Sequence, residues 1–115
     1  MHDGGCHCGA VRYSVELDLD HPAITCNCSI CSRAGTMLMF VPADKFKLEK
    51  GSDNLTSYLF HKKHIDHVFC KTCGIKSFAR GQRPDGSEMI AVNVRCLDGV
   101  DLEKIPTKQF DGKSL

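Results

Sequence analysis

Seven of the eight cysteines in this 115-residue chain fall in three tight clusters, and no other feature limits the possible folds as much. Cys6-His7-Cys8 lies between Gly4-Gly5 and Gly9, Cys26-Asn27-Cys28-Ser29-Ile30-Cys31 follows, and Cys70-Lys71-Thr72-Cys73-Gly74 comes later; only Cys96 stands apart. In an extended strand, residues i and i+2 are about 7 Å apart. Two sulfurs at that spacing cannot share a zinc with bonds of about 2.3 Å, so each Cys-x-Cys needs a turn. The glycines flanking the first cluster supply that freedom. Cys70-x-x-Cys73-Gly74 has knuckle spacing, which brings two thiolates to one metal and leaves two ligands to be found elsewhere.

The same cysteine density would suggest disulfides in a secreted chain. The start Met-His-Asp-Gly-Gly is not a basic segment leading into an apolar signal run, and no stretch approaches the roughly 20 apolar residues that span a bilayer. The expectation is a cytoplasmic protein with no membrane partner, whose cysteines bind metal. Ligand arithmetic suggests a closed site of Cys6, Cys8, Cys70 and Cys73, leaving Cys26, Cys28 and Cys31. A closed four-thiolate site is structural, whereas three thiolates leave zinc one position open for water or a substrate thiolate. Other pairings stay open at this level, such as Cys96 completing the triad or the first two clusters sharing one metal. Cys96, at the end of an apolar strand, reads as a small structural side chain.

Apolar and polar residues alternate at Val11 to Leu17, Met37 to Val41, Phe46 to Leu48, Leu55 to Phe60, Lys76 to Ala79 and Met89 to Val94. Gly35, Gly51, Gly81 and Pro84-Asp85-Gly86 punctuate these runs, which predicts strands in an antiparallel two-sheet, mainly β fold. Single helical turns are expected at Ser29 to Ala34 and around Asp101 to Ile105, and loose ends at Asp111 to Leu115. Length and the lack of an internal repeat or linker point to a single domain over 1–115. Fifteen Lys plus Arg against 14 Asp plus Glu, with no Trp and two Tyr, exclude the basic, aromatic surface of a nucleic-acid binder.

Three segments together resemble the glutathione-dependent formaldehyde-activating enzyme family, whose domain is shared with centromere protein V. They are Gly5-Cys6-His7-Cys8-Gly9-Ala10-Val11-Arg12-Tyr13, Cys26-Asn27-Cys28-Ser29-Ile30-Cys31-Ser32-Arg33 and Phe69-Cys70-Lys71-Thr72-Cys73-Gly74. Weaker matches at Val92-Asn93-Val94, Leu97-Asp98-Gly99 and Phe110-Asp111-Gly112 extend the resemblance over nearly the whole chain. It implies a β-tent of antiparallel sheets stapled by zinc, with a structural zinc on Cys6, Cys8, Cys70 and Cys73 and a catalytic zinc on Cys26, Cys28 and Cys31. The reaction it implies joins formaldehyde to glutathione, and is classed in reverse as a carbon–sulfur lyase.

An open three-thiolate zinc suits this chemistry, because it lowers the pKa of a bound thiol while its ligands keep the sulfur electron-rich. The alkoxide formed on addition needs a proton, for which His67 and His64 are candidates; His64 is expected on the opposite strand face from His61 and His67. Plain surface exposure is the alternative for these histidines. Arg12, Arg33, Lys71, Arg80 and Arg95 are candidates to pair with a glutathione-like thiol's carboxylates, and Arg33 leads because it follows the triad by two residues. Two rival classes are a non-catalytic zinc module binding a protein partner and a thiol redox enzyme of the methionine sulfoxide reductase type using Cys96.

Overall fold

The computed structural model describes residues 1–60, 65–111 and 114. A three-stranded antiparallel sheet contains β1 (His2–Gly5), β2 (Arg12–Val15) and β5 (Phe46–Lys50), in the order β1-β2-β5. The larger sheet contains β3 (Ala23–Cys26), β4 (Leu38–Pro42), β6 (Leu55–Phe60), β7 (Ile65–Cys70), β8 (Phe78–Gln82), β9 (Glu88–Asn93) and β10 (Thr107–Phe110). Its order is β10-β3-β4-β9-β8-β7-β6. The α-helix among the described residues is α1 (Ser29–Ala34), and 3-10 turns occupy Ala43–Lys45, Val94–Cys96 and Leu102–Lys104. None of these helices is long and apolar enough to cross a membrane.

Strand alternation assigns the two faces of the large sheet to different tasks. Met39, Val41, Phe78, Ile90 and Val92 turn toward the small sheet, where they bury against Val11, Tyr13 and Val15. Phe46 and Phe78 rings lie 4.8 Å apart and Tyr13 closes the trio, 4.9 Å from Phe46 and 5.8 Å from Phe78. Each such fully buried side chain contributes about 1.5–3 kcal/mol of transfer free energy. The phenol of Tyr13 is not stranded in this core, because it donates to the carbonyl of Ser77 at 3.1 Å and so ties one sheet to the other. On the opposite face, Leu38, Ala79 and Ala91 form a second, smaller buried cluster, against which Cys31 packs.

The structure departs from the sequence-based expectation in three places. The large sheet is not wholly antiparallel, because β10 runs parallel to β3, with Thr107 beside Ala23 and Phe110 beside Cys26. A parallel neighbour needs a crossover, and the long connection from Val94 to Pro106 provides it. Strands β1, β3 and β10 carry no alternating apolar run; β1 reads His-Asp-Gly-Gly, and every residue of β10 is exposed. Asp111, expected to be loose, accepts from Asn27 Nδ2 at 2.9 Å and from Ser114 Oγ at 2.7 Å. The expectations for His61, His64 and Gly112 fall outside the described residues.

Candidate functional site

The four sulfurs of Cys6, Cys8, Cys70 and Cys73 all lie within 4.8 Å of one another. Cys6 to Cys8 is 3.6 Å and Cys8 to Cys70 is 3.7 Å. Four sulfurs at about 2.3 Å from a tetrahedral zinc are separated by about 3.8 Å, so the donor set fits that ion. The distances are far from the roughly 2.05 Å of a disulfide.

Local backbone geometry explains why these sulfurs converge. The Cys6 N–H donates to the carbonyl of Val11 at 3.1 Å, closing the turn that the Cys-x-Cys spacing demands. Gly5 matters here for space: a Cβ on it would lie 2.1 Å from the Val11 oxygen. At the second knuckle, Gly74 takes a φ of 79° and its N–H returns to the Cys70 carbonyl. Cys70 Sγ accepts from the N–H groups of Thr72 and Cys73 at 3.3 and 3.5 Å, and from Asn54 Nδ2 at 3.3 Å. The Val11 N–H points at Cys6 Sγ at 3.3 Å. Donors aimed at sulfur favour the thiolate, the form that binds metal. Those on Cys73 and Thr72 take the Cys70 thiol down to about 6, while burial opposes them.

Cys26, Cys28 and Cys31 form the second group, again with all sulfurs within 4.8 Å. Cys26 ends β3, Cys28 is the N-cap of α1 and Cys31 lies one turn in. The Cys28 sulfur accepts from the Cys31 N–H at 3.4 Å, so the capping contact also sets the spacing of the two sulfurs. Gly35, with a φ of 67°, ends the helix by returning its N–H to the Cys31 carbonyl at 2.9 Å. The corner before the helix is held from β10, where the Phe110 carbonyl accepts from the Asn27 N–H at 3.3 Å. Among the described residues this group has three members, and the other has four.

Lys76, which the sequence reading treated only as a strand residue, stands beside this second group. Its Nζ is 2.6 Å from Nδ1 of His67. Its own value is lowered by burial, while the charges of Cys31 and Cys28 act to raise it. His67 is buried rather than exposed, 6% accessible. Burial, then the Lys76 charge, hold its imidazole down at about 4. A histidine that is neutral at pH 7 is a poor proton donor, which counts against the role expected for it. No spacing rule linked Lys76 to the triad, since it reaches it from another element.

Arg33 is exposed on α1, with Nη1 donating to the Ser29 carbonyl at 2.8 Å. Arg12 forms a two-pronged pair with Asp98, and Arg80 lies 5.5 Å over the Phe78 ring. Cys96 lies in the Val94–Cys96 turn that follows β9, and its thiol is pushed up to about 11, by burial first and by Cys6 and Cys73 after it. A groove of about 530 Å³ runs past it, bordered by His7, Lys76, Arg95 and the end of α1 at Ala34 and Gly35.

Two packed sheets carrying a four-sulfur and a three-sulfur cluster define a β protein with two thiol groups that could each hold a metal ion. The model of the glutathione-dependent formaldehyde-activating enzyme family matches residues 1–110, and the chain belongs to that family. The fold is also similar to the crystal structure of a Rhodobacter sphaeroides protein, a structural genomics target. The two share 36% sequence identity with a TM-score of 0.80, over 93% of this chain and 97% of that one.

Proposed function

We propose that the chain is a single-domain zinc enzyme that adds formaldehyde, or another small aldehyde, to a thiol such as glutathione in the cytoplasm. In the reverse direction it is a carbon–sulfur lyase. Cys6, Cys8, Cys70 and Cys73 hold a structural zinc, and Cys26, Cys28 and Cys31 hold a catalytic one. The observation that carries this reading is the difference in ligand number between the two groups, four against three among the described residues.

A zinc bound by the triad would supply a Lewis acid whose direct bond to sulfur keeps a substrate thiol ionised near neutral pH. The chain's own part is to hold the three sulfurs in place through the α1 cap and the β10 contact, and to back Cys31 with Leu38, Ala79 and Ala91 so that one side is dry. The substrate sulfur then attacks the aldehyde carbon, an S–C bond forms, the C=O π pair moves to oxygen, and a proton is taken up there. Arg33 remains a partner for a substrate carboxylate in this reading if its Ser29 contact opens. The redox alternative is weakened by the raised Cys96 thiol, which disfavours the nucleophilic form.

The test is ¹³C exchange spectroscopy of formaldehyde and glutathione with zinc-loaded protein, comparing wild type with the Cys26, Cys28 and Cys31 serine triple variant. The expected result is faster adduct exchange with wild type only, and a zinc content of about two per chain falling to about one. Equal exchange rates with and without wild-type protein would discard the reaction.

A further inference from the structure

We propose that Lys76 is the specificity-determining cation of the three-sulfur site, pairing with a carboxylate of the thiol whose sulfur takes the open metal position. This rests on reading Cys26, Cys28 and Cys31 as an open metal site. The ligand class is a small acidic thiol, and a neutral thiol of the same size is the molecule it selects against.

Three observations converge on this residue. The first is fixation at both ends. Lys76 Nζ meets His67 Nδ1 at 2.6 Å, and its carbonyl accepts from Asn93 Nδ2 at 2.9 Å. Asn93 is itself locked, because its Oδ1 accepts from the N–H groups of Met37 and Arg95 at 3.3 and 3.2 Å. A free lysine gives up about 2 kcal/mol of rotamer freedom when it binds an anion, and a side chain already pinned gives up less.

The second observation is position. Lys76 belongs to two places at once, within electrostatic reach of the Cys28 and Cys31 sulfurs and on the wall of the groove of about 530 Å³. That volume is in the range of small-ligand sites, about 300–1,000 Å³. The groove reaches the end of α1 at Ala34 and Gly35, and the Gly35 N–H is bonded to the Cys31 carbonyl, so Lys76 lies on the wall that faces the triad's helix and Arg95 borders the same groove for a second anionic group.

The third is charge. Three thiolates on a divalent ion leave the centre net negative, and a fourth thiolate deepens this, so a carboxylate arriving with the substrate is repelled unless a cation meets it. Arg33 is exposed and meets such a charge only when its Ser29 contact opens, and Arg12 is paired with Asp98. The half-buried ammonium of Lys76 meets the charge where screening is weaker than at the surface.

The experiment is isothermal titration calorimetry of the zinc-loaded full chain with 3-mercaptopropionate and with 3-mercapto-1-propanol, which differ in the carboxylate. Wild type is expected to bind the acid about tenfold more tightly. Lys76→Met should bind both alike, and Lys76→Arg should keep part of the preference, with zinc content and circular dichroism unchanged. If Lys76→Met fails to fold, Lys76→Gln, which keeps a hydrogen-bonding group beside His67, is titrated in its place and should lose the preference in the same way. A preference for the acid as large as the wild type's in the neutral variant, or no preference in wild type, overturns the inference. Binding of the alcohol without preference for the acid removes only the role of Lys76, whereas failure of both thiols to bind wild type removes the open-metal reading and this inference with it.

Discussion

The two sulfur clusters are built from opposite kinds of contact. Cys8 and Cys70 are 62 residues apart in sequence yet 3.7 Å apart in space, so the four-sulfur group exists only when segments far apart in the chain have come together. The triad comes from six consecutive residues and needs little more than one capped helical turn. In the proposed assignment, metal at the first group closes a long loop and its binding energy is folding energy, while metal at the second decorates a corner that local structure already makes. A staple and a working site can thus share the same ligand chemistry in one small chain.

The largest effect that can break this comparison is expected from Cys70→Ser. Loss of one ligand should cost more than the whole stability of a domain this size, about 5–15 kcal/mol, and leave the chain unfolded at 25 °C by circular dichroism. The triad triple serine variant should stay folded and cooperative. If Cys70→Ser melts like wild type, the long-range cluster is not the staple.

An intermediate effect sharpens the triad side. The folded pKa of His67, about 4, lies below its ordinary 6.5, so the unfolded chain binds the extra proton between those values. The stability this contributes is complete above about pH 6.5 and is lost as the pH falls toward 4, up to about 3 kcal/mol. Thiolate protonation weakens wild type and His67→Gln alike, so the difference between their urea-unfolding curves across that window isolates the histidine. Parallel curves would show that His67 is not held neutral.

The smallest effect is expected at the Arg12–Asp98 pair, whose side chains are 33% and 57% exposed. Arg12→Ala should cost less than about 1 kcal/mol, and less still at high salt. A loss comparable to Cys70→Ser would mean that the segment after β9 supports the four-sulfur region far more than its exposure suggests.

What could be read in the sequence divides along the same line. The grouping of cysteines was legible because turn and knuckle spacings are local, and the strands with alternating Val, Ile and Phe announced themselves through burial on one face. Strand β1 could not be read because Gly4 and Gly5 are chosen for close backbone approach, and β10 could not because an exposed edge strand has no apolar face to show. The pairing of Lys76 with His67, a histidine already named as a candidate, was hidden for a third reason. It joins β7 to the segment that precedes β8, and no periodicity within either carries that information.

The parallel strand β10 also sets a timetable. Synthesis runs from the N-terminus, and the last ligand of the four-sulfur group has been made once Cys73 emerges. The carbonyl of Phe110 that steadies the triad corner arrives some three dozen residues later, which at about 5–20 residues per second is a delay of a few seconds. All four ligands of the long-range group are therefore available before the corner that carries the proposed chemistry receives its last brace.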